Sequence, residues 1–190
     1  MFALKKKYFI IIENIKDIEL SNIKKLDKFV IIYRNNKSKD KFSDILKFRK
    51  KCKEKRIELF VANNVKLLKD IKADGIYISA NNFSLNYSQI KKSNFKLIGS
   101  AHNSKELTIK KRQGCADIFF SRLFKTNYKH KIGYLGLVRF NLLNIINKNK
   151  LIPLGGIRLS NLNKMKLINC SGFVMLSEPK KKPAIFDRLF

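Results

Sequence analysis

Cysteine is scarce and unpaired in this sequence. Cys52, Cys115 and Cys170 are spread over 190 residues with no C-x-x-C spacing. An odd number at such spacing argues against a disulfide framework and against a zinc site, so the three read as buried thiols in a reducing compartment. Long apolar runs are missing too. The longest uncharged apolar stretch near the start, "YFIII" from Tyr8 to Ile12, is far too short for a membrane span or a secretory signal core. The expectation is a soluble, cytoplasmic chain with no membrane partner. Acidic residues number 14 against 42 lysines and arginines, a formal net charge of +28. Glycine occurs only 8 times, yet Gly155 and Gly156 stand side by side after the apolar run "LIPL".

What is present suits one globular domain. Hydrophobic residues make up 45% of the chain, too many for a disordered protein, and the length supports a real core. A single domain over residues 1–190 is expected, with residues 178–190 as a C-terminal tail whose Phe186, Leu189 and Phe190 could pack back onto it. The charge has two readings. A phosphate-rich partner such as nucleic acid would explain it, and so would a lysine-rich composition. The split is 34 Lys to 8 Arg, and the lysines are scattered over nearly every helical segment. Nucleic-acid readers lean on arginine for bidentate contacts, so nucleic acid is disfavoured. Small anionic substrates would be attracted in either case.

Eight short apolar runs mark strands: 8–12, 29–33, 58–62, 75–79, 96–100, 117–121, 152–154 and 172–176. Most are continuously apolar, as parallel strands covered on both faces require. Helical patterns lie between them at 18–26, 41–55, 65–71, 104–113, 139–149 and 161–169, with a weak one within 80–95. Gly114 stands where a helix C-cap is expected. Regular strand–helix alternation means a parallel sheet, and eight steps suggest a small closed (β/α)8 barrel of the TIM type. In such barrels chemistry sits at the C-terminal ends of the strands. Those ends offer Glu13, Arg34, Lys37, Asn63, Asn64, Asn81, Asn82, Ser100, His102, Arg122, Thr126, Lys129, His130, Gly155, Gly156, Ser177 and Glu178. The rim is basic, rich in amides and poor in carboxylates. The adjacent glycines either let backbone N–H groups approach an anionic ligand or merely serve a tight turn with positive φ.

The segments "VIIYRNNK", "FVANN", "ADGIYIS", "IGSAHNSKEL", "ADIFFSRLFKT", "YLGLVRF", "IPLGGI" and "GFVMLS" follow in order over residues 30–177. Together they resemble the thiamine phosphate synthase/TenI superfamily. The likeness is greatest to a variant branch with a Ser-Pro-x-Phe-x-Thr loop and a Leu-Gly-x-x-Arg-Phe segment. The resemblance implies a (β/α)8 fold and two activities. Synthases join hydroxymethylpyrimidine diphosphate to thiazole phosphate, releasing diphosphate with the help of Mg²⁺. TenI-type relatives isomerise a carboxythiazole phosphate without a metal. By motif, Gly155, Gly156, Thr126 and the pair Leu176–Ser177 would hold the thiazole phosphate. Arg34, Lys129 and Ser100 would contact the diphosphate, Asn63 the pyrimidine, and His102 would transfer a proton in a tautomerase.

The departures gather at one end. Asn36 takes a family lysine position, with Lys37 adjacent, and Tyr77 replaces a family histidine. Asn64 and Asn82 stand where the family has Mg²⁺-binding aspartates, and an amide is the weaker ligand. Three readings follow: a synthase in which Arg34, Lys37 and Lys129 partly replace Mg²⁺; a TenI-type tautomerase or non-catalytic thiazole phosphate binder; and a basic protein binding RNA or another polyanion. A homodimer is the assembly to test.

Overall fold

The computed structural model describes residues 7–23, 27–35, 40–87, 95–126, 133–148 and 150–176. Eight parallel strands close a barrel in chain order: β1 (Lys7–Ile12), β2 (Phe29–Tyr33), β3 (Glu58–Ala62), β4 (Gly75–Ile78), β5 (Lys96–Ala101), β6 (Asp117–Ser121), β7 (Leu151–Leu154) and β8 (Gly172–Met175). β1 pairs with β8, Tyr8 opposite Phe173 and Phe9 opposite Val174, which closes the ring. Among the described residues four α-helices pack outside: α1 (Phe42–Glu54), α2 (Val65–Asp70), α3 (Ser104–Arg112) and α4 (Gly136–Ile146). No helix among the described residues is long and apolar enough to cross a membrane.

The continuous apolar strands make two cores because successive side chains point to opposite faces. One parity fills the barrel: Phe9, Ile11, Val30, Ile32, Phe60, Tyr77, Ile98, Phe119, Ile152, Leu154 and Val174. The other parity, including Tyr8, Ile10, Phe29, Ile31, Leu59, Ile76, Leu97, Ile118, Phe120 and Phe173, faces the helices. Cys52, Cys115 and Cys170 are free and buried. Burial pushes the Cys52 and Cys115 thiols up to about 12, so they are inert packing groups.

Two expected helices differ. The segment expected as a helix over 18–26 holds two 3-10 turns, Ile15–Asp17 and Leu20–Asn22. There the Asp17 carboxylate accepts from the backbone N–H groups of Glu13 and Asn14, arresting the chain before a helix can propagate. The segment 161–169 is part of a 3-10 stretch, Leu159–Leu167. Its packed residues Leu159, Leu162 and Met165 recur every three positions, which is the 3-10 period and not the α period. The tail 178–190 lies outside the described residues.

Candidate functional site

Strand parity also builds the site. Continuing the inward-facing rows of every strand but β3 toward and past their C-terminal ends gives Ile11, Arg34, Tyr77 and Ser79, Ser100 and His102, Ser121, Leu154, Val174 and Leu176. All of these line one cavity of about 720 Å³. Arg122, Thr126, Gly155, Gly156, Ile157 and Arg158 complete its wall on the β6–β7 side. Arg34, Ser100, His102, Thr126, Gly155, Gly156 and Leu176 therefore share one space, as the motif reading required. Lys129 and Ser177, with Asn36, Lys37, His130 and Glu178, lie outside the described residues.

The glycine pair has a packing cause. The chain of residues 123–124 runs alongside the β7 loop, with Leu123 N–H donating to Leu154 O at 3.0 Å and Phe124 N–H to Gly155 O at 3.1 Å. Both glycines have positive φ, +96° and +71°. A Cβ on Gly156 would lie 2.6 Å from Phe124 O and 2.7 Å from Lys125 O. A Cβ on Gly155 would lie 3.0 Å from Cγ of Arg122. Arg122 thus lies against Gly155, and its Nη1 donates to Thr126 Oγ1 at 3.0 Å. This corner of the cavity carries two guanidinium groups, Arg122 and Arg158.

Arg34 stands at the end of β2, across the barrel. Its Nη2 donates to Glu13 Oε1 at 3.0 Å, and its Nε is buried without a hydrogen-bond partner. Between the two cationic ends lies a polar floor. The buried Tyr77 hydroxyl donates to Ser100 Oγ at 2.8 Å. Burial raises the Tyr77 pKa against the opposing effects of the Ser100 hydrogen bond and the Arg34 charge, so the phenol keeps its proton. Since Ser100 Oγ accepts that proton, its own proton can be donated elsewhere.

His102 follows β5 and is half exposed. Its Nδ1 lies 2.9 Å from Glu106 Oε2, which also accepts from the His102 backbone N–H at 2.7 Å. Glu106 belongs to the first turn of α3 and interlocks with the N-cap Asn103. An ionised carboxylate only accepts, so this contact places the proton on Nδ1 and leaves Nε2 as the basic nitrogen. Glu106 is the one carboxylate lining the cavity among the described residues.

Asn63, Asn64 and Asn82 do not line the cavity; they stand behind it. Asn63 donates to Ser79 Oγ at 2.9 Å and accepts from Ser79 N–H at 3.0 Å and from Asn82 Nδ2 at 3.2 Å. Asn64 Oδ1 caps α2 by accepting from Leu67 N–H at 2.9 Å. Asn82 Oδ1 accepts from Ser84 N–H at 3.1 Å, and its amide donates to the Tyr87 hydroxyl at 2.9 Å. The Asn82 backbone carbonyl receives Lys110 Nζ at 2.6 Å and Gln113 Nε2 at 2.9 Å. Lys110 is fully buried, and burial lowers its pKa. No group of three or more His, Cys, Asp or Glu side chains among the described residues is placed to hold a metal ion. This donor set of neutral amides, each oxygen already accepting an N–H, does not fit Mg²⁺, which seeks hard anionic oxygen.

Sequence reasoning placed Arg122 at a strand end without a role and did not single out Arg158, Glu106, Lys110 or Gln113. The Glu106 contact was open to finding, since His102 and Glu106 are four residues apart at a helix start. Lys110 was hidden among 34 lysines.

A family model described as thiamine monophosphate synthase matches residues 19–178. A thiamine-phosphate synthase of Methanococcus vannielii is 28% identical over 133 residues, 69% of this chain and 64% of that protein. The chain therefore spans just under two thirds of that relative's length. A thiamine-phosphate synthase of Clostridium perfringens is 24% identical over 151 residues, 78% of this chain and 73% of that one. The solved structure of a thiamine phosphate pyrophosphorylase from Pyrococcus furiosus superposes with a TM-score of 0.72 at 15% identity, covering 97% of this chain and 95% of that chain. At that identity the likeness speaks for the fold, and the family match over most of the chain speaks for descent: the chain belongs to the thiamine monophosphate synthase family.

Proposed function

We propose that this protein joins hydroxymethylpyrimidine diphosphate to thiazole phosphate, releasing diphosphate and forming thiamine phosphate. One observation carries the reading. The cavity has two cationic ends, Arg34 on one side and Arg122 with Arg158 on the other. A reaction between two phosphorylated substrates needs two anion positions in one space. All three cations are arginines, although lysines outnumber arginines 34 to 8, and no lysine among the described residues lines the cavity. Guanidinium groups suit phosphate because their paired N–H donors match its oxygens.

In this reading the thiazole phosphate sits at Gly155 and Gly156, with Thr126, Leu176 and Ser177 around it. The guanidinium groups of Arg122 and Arg158 beside the glycines support that place. Arg34, Ser100 and Lys129 stabilise the departing diphosphate, Ser100 by donating the proton that Tyr77 leaves free. Asn63 acts on the pyrimidine through the position of Ser79. The neutral amides behind this end do not suit Mg²⁺. The decisive assay mixes purified protein with both substrates, with Mg²⁺ or with chelator, and follows thiamine phosphate. Product is expected; its absence under both conditions refutes the reading.

The His102–Glu106 pair favours a second reading, a TenI-type isomerase or a binder of thiazole phosphate. An imidazole held by a carboxylate, with its other nitrogen basic, suits proton transfer. His102→Ala should abolish isomerisation of the carboxythiazole phosphate while leaving synthase activity largely intact. Ser100→Ala should do the reverse.

We also propose a homodimer, formed through the outer face of α4. Val138, Leu142, Ile145 and Ile146 recur there at helical spacing and are 58–75% exposed. Arg139 is the single charged residue in this helix. A chain of net charge +28 can pair with its copy only where charge is sparse. Tyr134 and Leu167 are further exposed apolar side chains.

A further inference from the structure

We propose that the diphosphate end of this cavity takes its anion without a divalent metal, with Arg34 supplying the charge and the asparagines behind the cavity serving as a hydrogen-bonded wall. The inference rests on the two-anion reading above and concerns how one of its two ends works.

Three observations carry it. First, an asparagine has one side-chain oxygen where an aspartate has two. At Asn63, Asn64 and Asn82 that oxygen already accepts an N–H: from Ser79 and Asn82, from Leu67, and from Ser84 respectively. The other atom of each amide is an NH2 group, which offers a cation no lone pair; at Asn63 it donates to Ser79 Oγ, and at Asn82 to Asn63 Oδ1 and the Tyr87 hydroxyl. Second, the backbone carbonyl of Asn82, an alternative oxygen ligand, is taken by the Lys110 ammonium at 2.6 Å and the Gln113 amide at 2.9 Å. The positive charge in this loop thus belongs to the chain itself, and a divalent ion beside it would be repelled. Third, Arg34 has a buried Nε with no acceptor. A buried donor left unpaired costs free energy, and an anion oxygen in the cavity is the partner it lacks. Asn81, which also lines the cavity, accepts from Ser79 Oγ at 3.0 Å, so its NH2 group is a further donor to such an anion.

The probe is inorganic pyrophosphate, titrated calorimetrically into the full-length protein in chelator and in Mg²⁺ at matched ionic strength. Saturable one-to-one binding is expected in chelator, with no strengthening by Mg²⁺. Arg34→Gln should weaken it at least tenfold while keeping the wild-type melting curve. Binding that needs Mg²⁺, binding in neither condition, or equal binding by Arg34→Gln and wild type would each overturn the proposal. The wild-type comparison stands alone should the variant fold poorly. The synthase assay separates this inference from the reading beneath it. Metal-free pyrophosphate binding without thiamine phosphate formation would sink the synthase and keep the metal-free end. Product made only with Mg²⁺ would do the opposite.

Discussion

Replacing either glycine of the pair with alanine should be costly, and the two costs should have different remedies. Gly156 has φ +71°. Left-handed backbone costs an L-residue about 1–2 kcal/mol. A Cβ there would also meet two backbone carbonyls at 2.6 and 2.7 Å. Those carbonyls can retreat only by loosening the Leu123–Leu154 and Phe124–Gly155 hydrogen bonds, each worth about 1 kcal/mol. Gly156→Ala is therefore expected to destabilise by about 2–4 kcal/mol, roughly 5–15 °C in Tm for a chain of this size. At Gly155 the obstacle is different: the nearest atoms are Cγ and Cβ of Arg122 at 3.0 and 3.3 Å, and a side chain can be removed. Arg122→Ala should recover at least about 0.5 kcal/mol of the Gly155→Ala loss and nothing of the Gly156→Ala loss, the coupling expected only between groups in contact. Chemical denaturation of the three single and two double variants measures this. Arg122→Ala relieving neither variant, or both equally, would refute the packing argument, as would a Gly156→Ala protein within 0.5 kcal/mol of wild type.

Asn144 is fully buried; its amide donates to Asn169 O and accepts from Leu151 N–H at 2.9 Å. Asn144→Ala would strand both backbone groups and should cost about 2–4 kcal/mol by denaturant midpoint. Glu58 meets Lys7 and Lys96 at 2.7 Å each; burial alone would raise its pKa, but the two ammonium groups outweigh it and lower it. Because the folded value is depressed, the stability it contributes is complete above the ordinary 4.5 and is lost as pH falls below that. Glu58→Gln should lack this acid limb in a Tm-versus-pH series, the difference staying under about 1 kcal/mol because the lysines are half exposed. Leu142→Glu should turn the dimer into a monomer in sedimentation without lowering Tm below that of a wild-type monomer; an unchanged sedimentation coefficient would place the interface elsewhere.

The barrel was legible because its strands are short, apolar and evenly spaced. The runs at 29–33, 58–62 and 117–121 have the bounds that the structure gives. Parity then located the cavity: Ile98, Ser100 and His102 lie two residues apart, so a buried Ile98 commits the next two to the same inward row. The 3-10 stretch at Leu159–Leu167 was misread because leucines and a methionine three apart also satisfy part of a helical pattern. Only the absence of a fourth-residue partner separates the two periods. The network around Lys110 was not legible at all. It depends on α3 crossing behind β5, which sets a lysine against the Asn82 carbonyl 28 residues upstream. No local pattern distinguishes that lysine from its neighbours Lys105 and Lys111.

In the proposed reading the two ends of one cavity would hold their anions by different physics. At β6 and β7 the means is backbone: two positive-φ glycines, a close-packed crossing segment, and arginines fixed beside it. Substitution there strains the fold itself, so this end tolerates little change. At β2 to β4 the means is side-chain chemistry: a guanidinium with an unpaired donor in front of a wall of amides. Asn64 and Asn82 stand behind that end, where a neutral amide in place of a carboxylate removes the anionic oxygen a divalent cation seeks. On that reading a barrel built this way would lose a metal and keep its phosphate pole, because the strand parity that aims both ends does not depend on what either one binds.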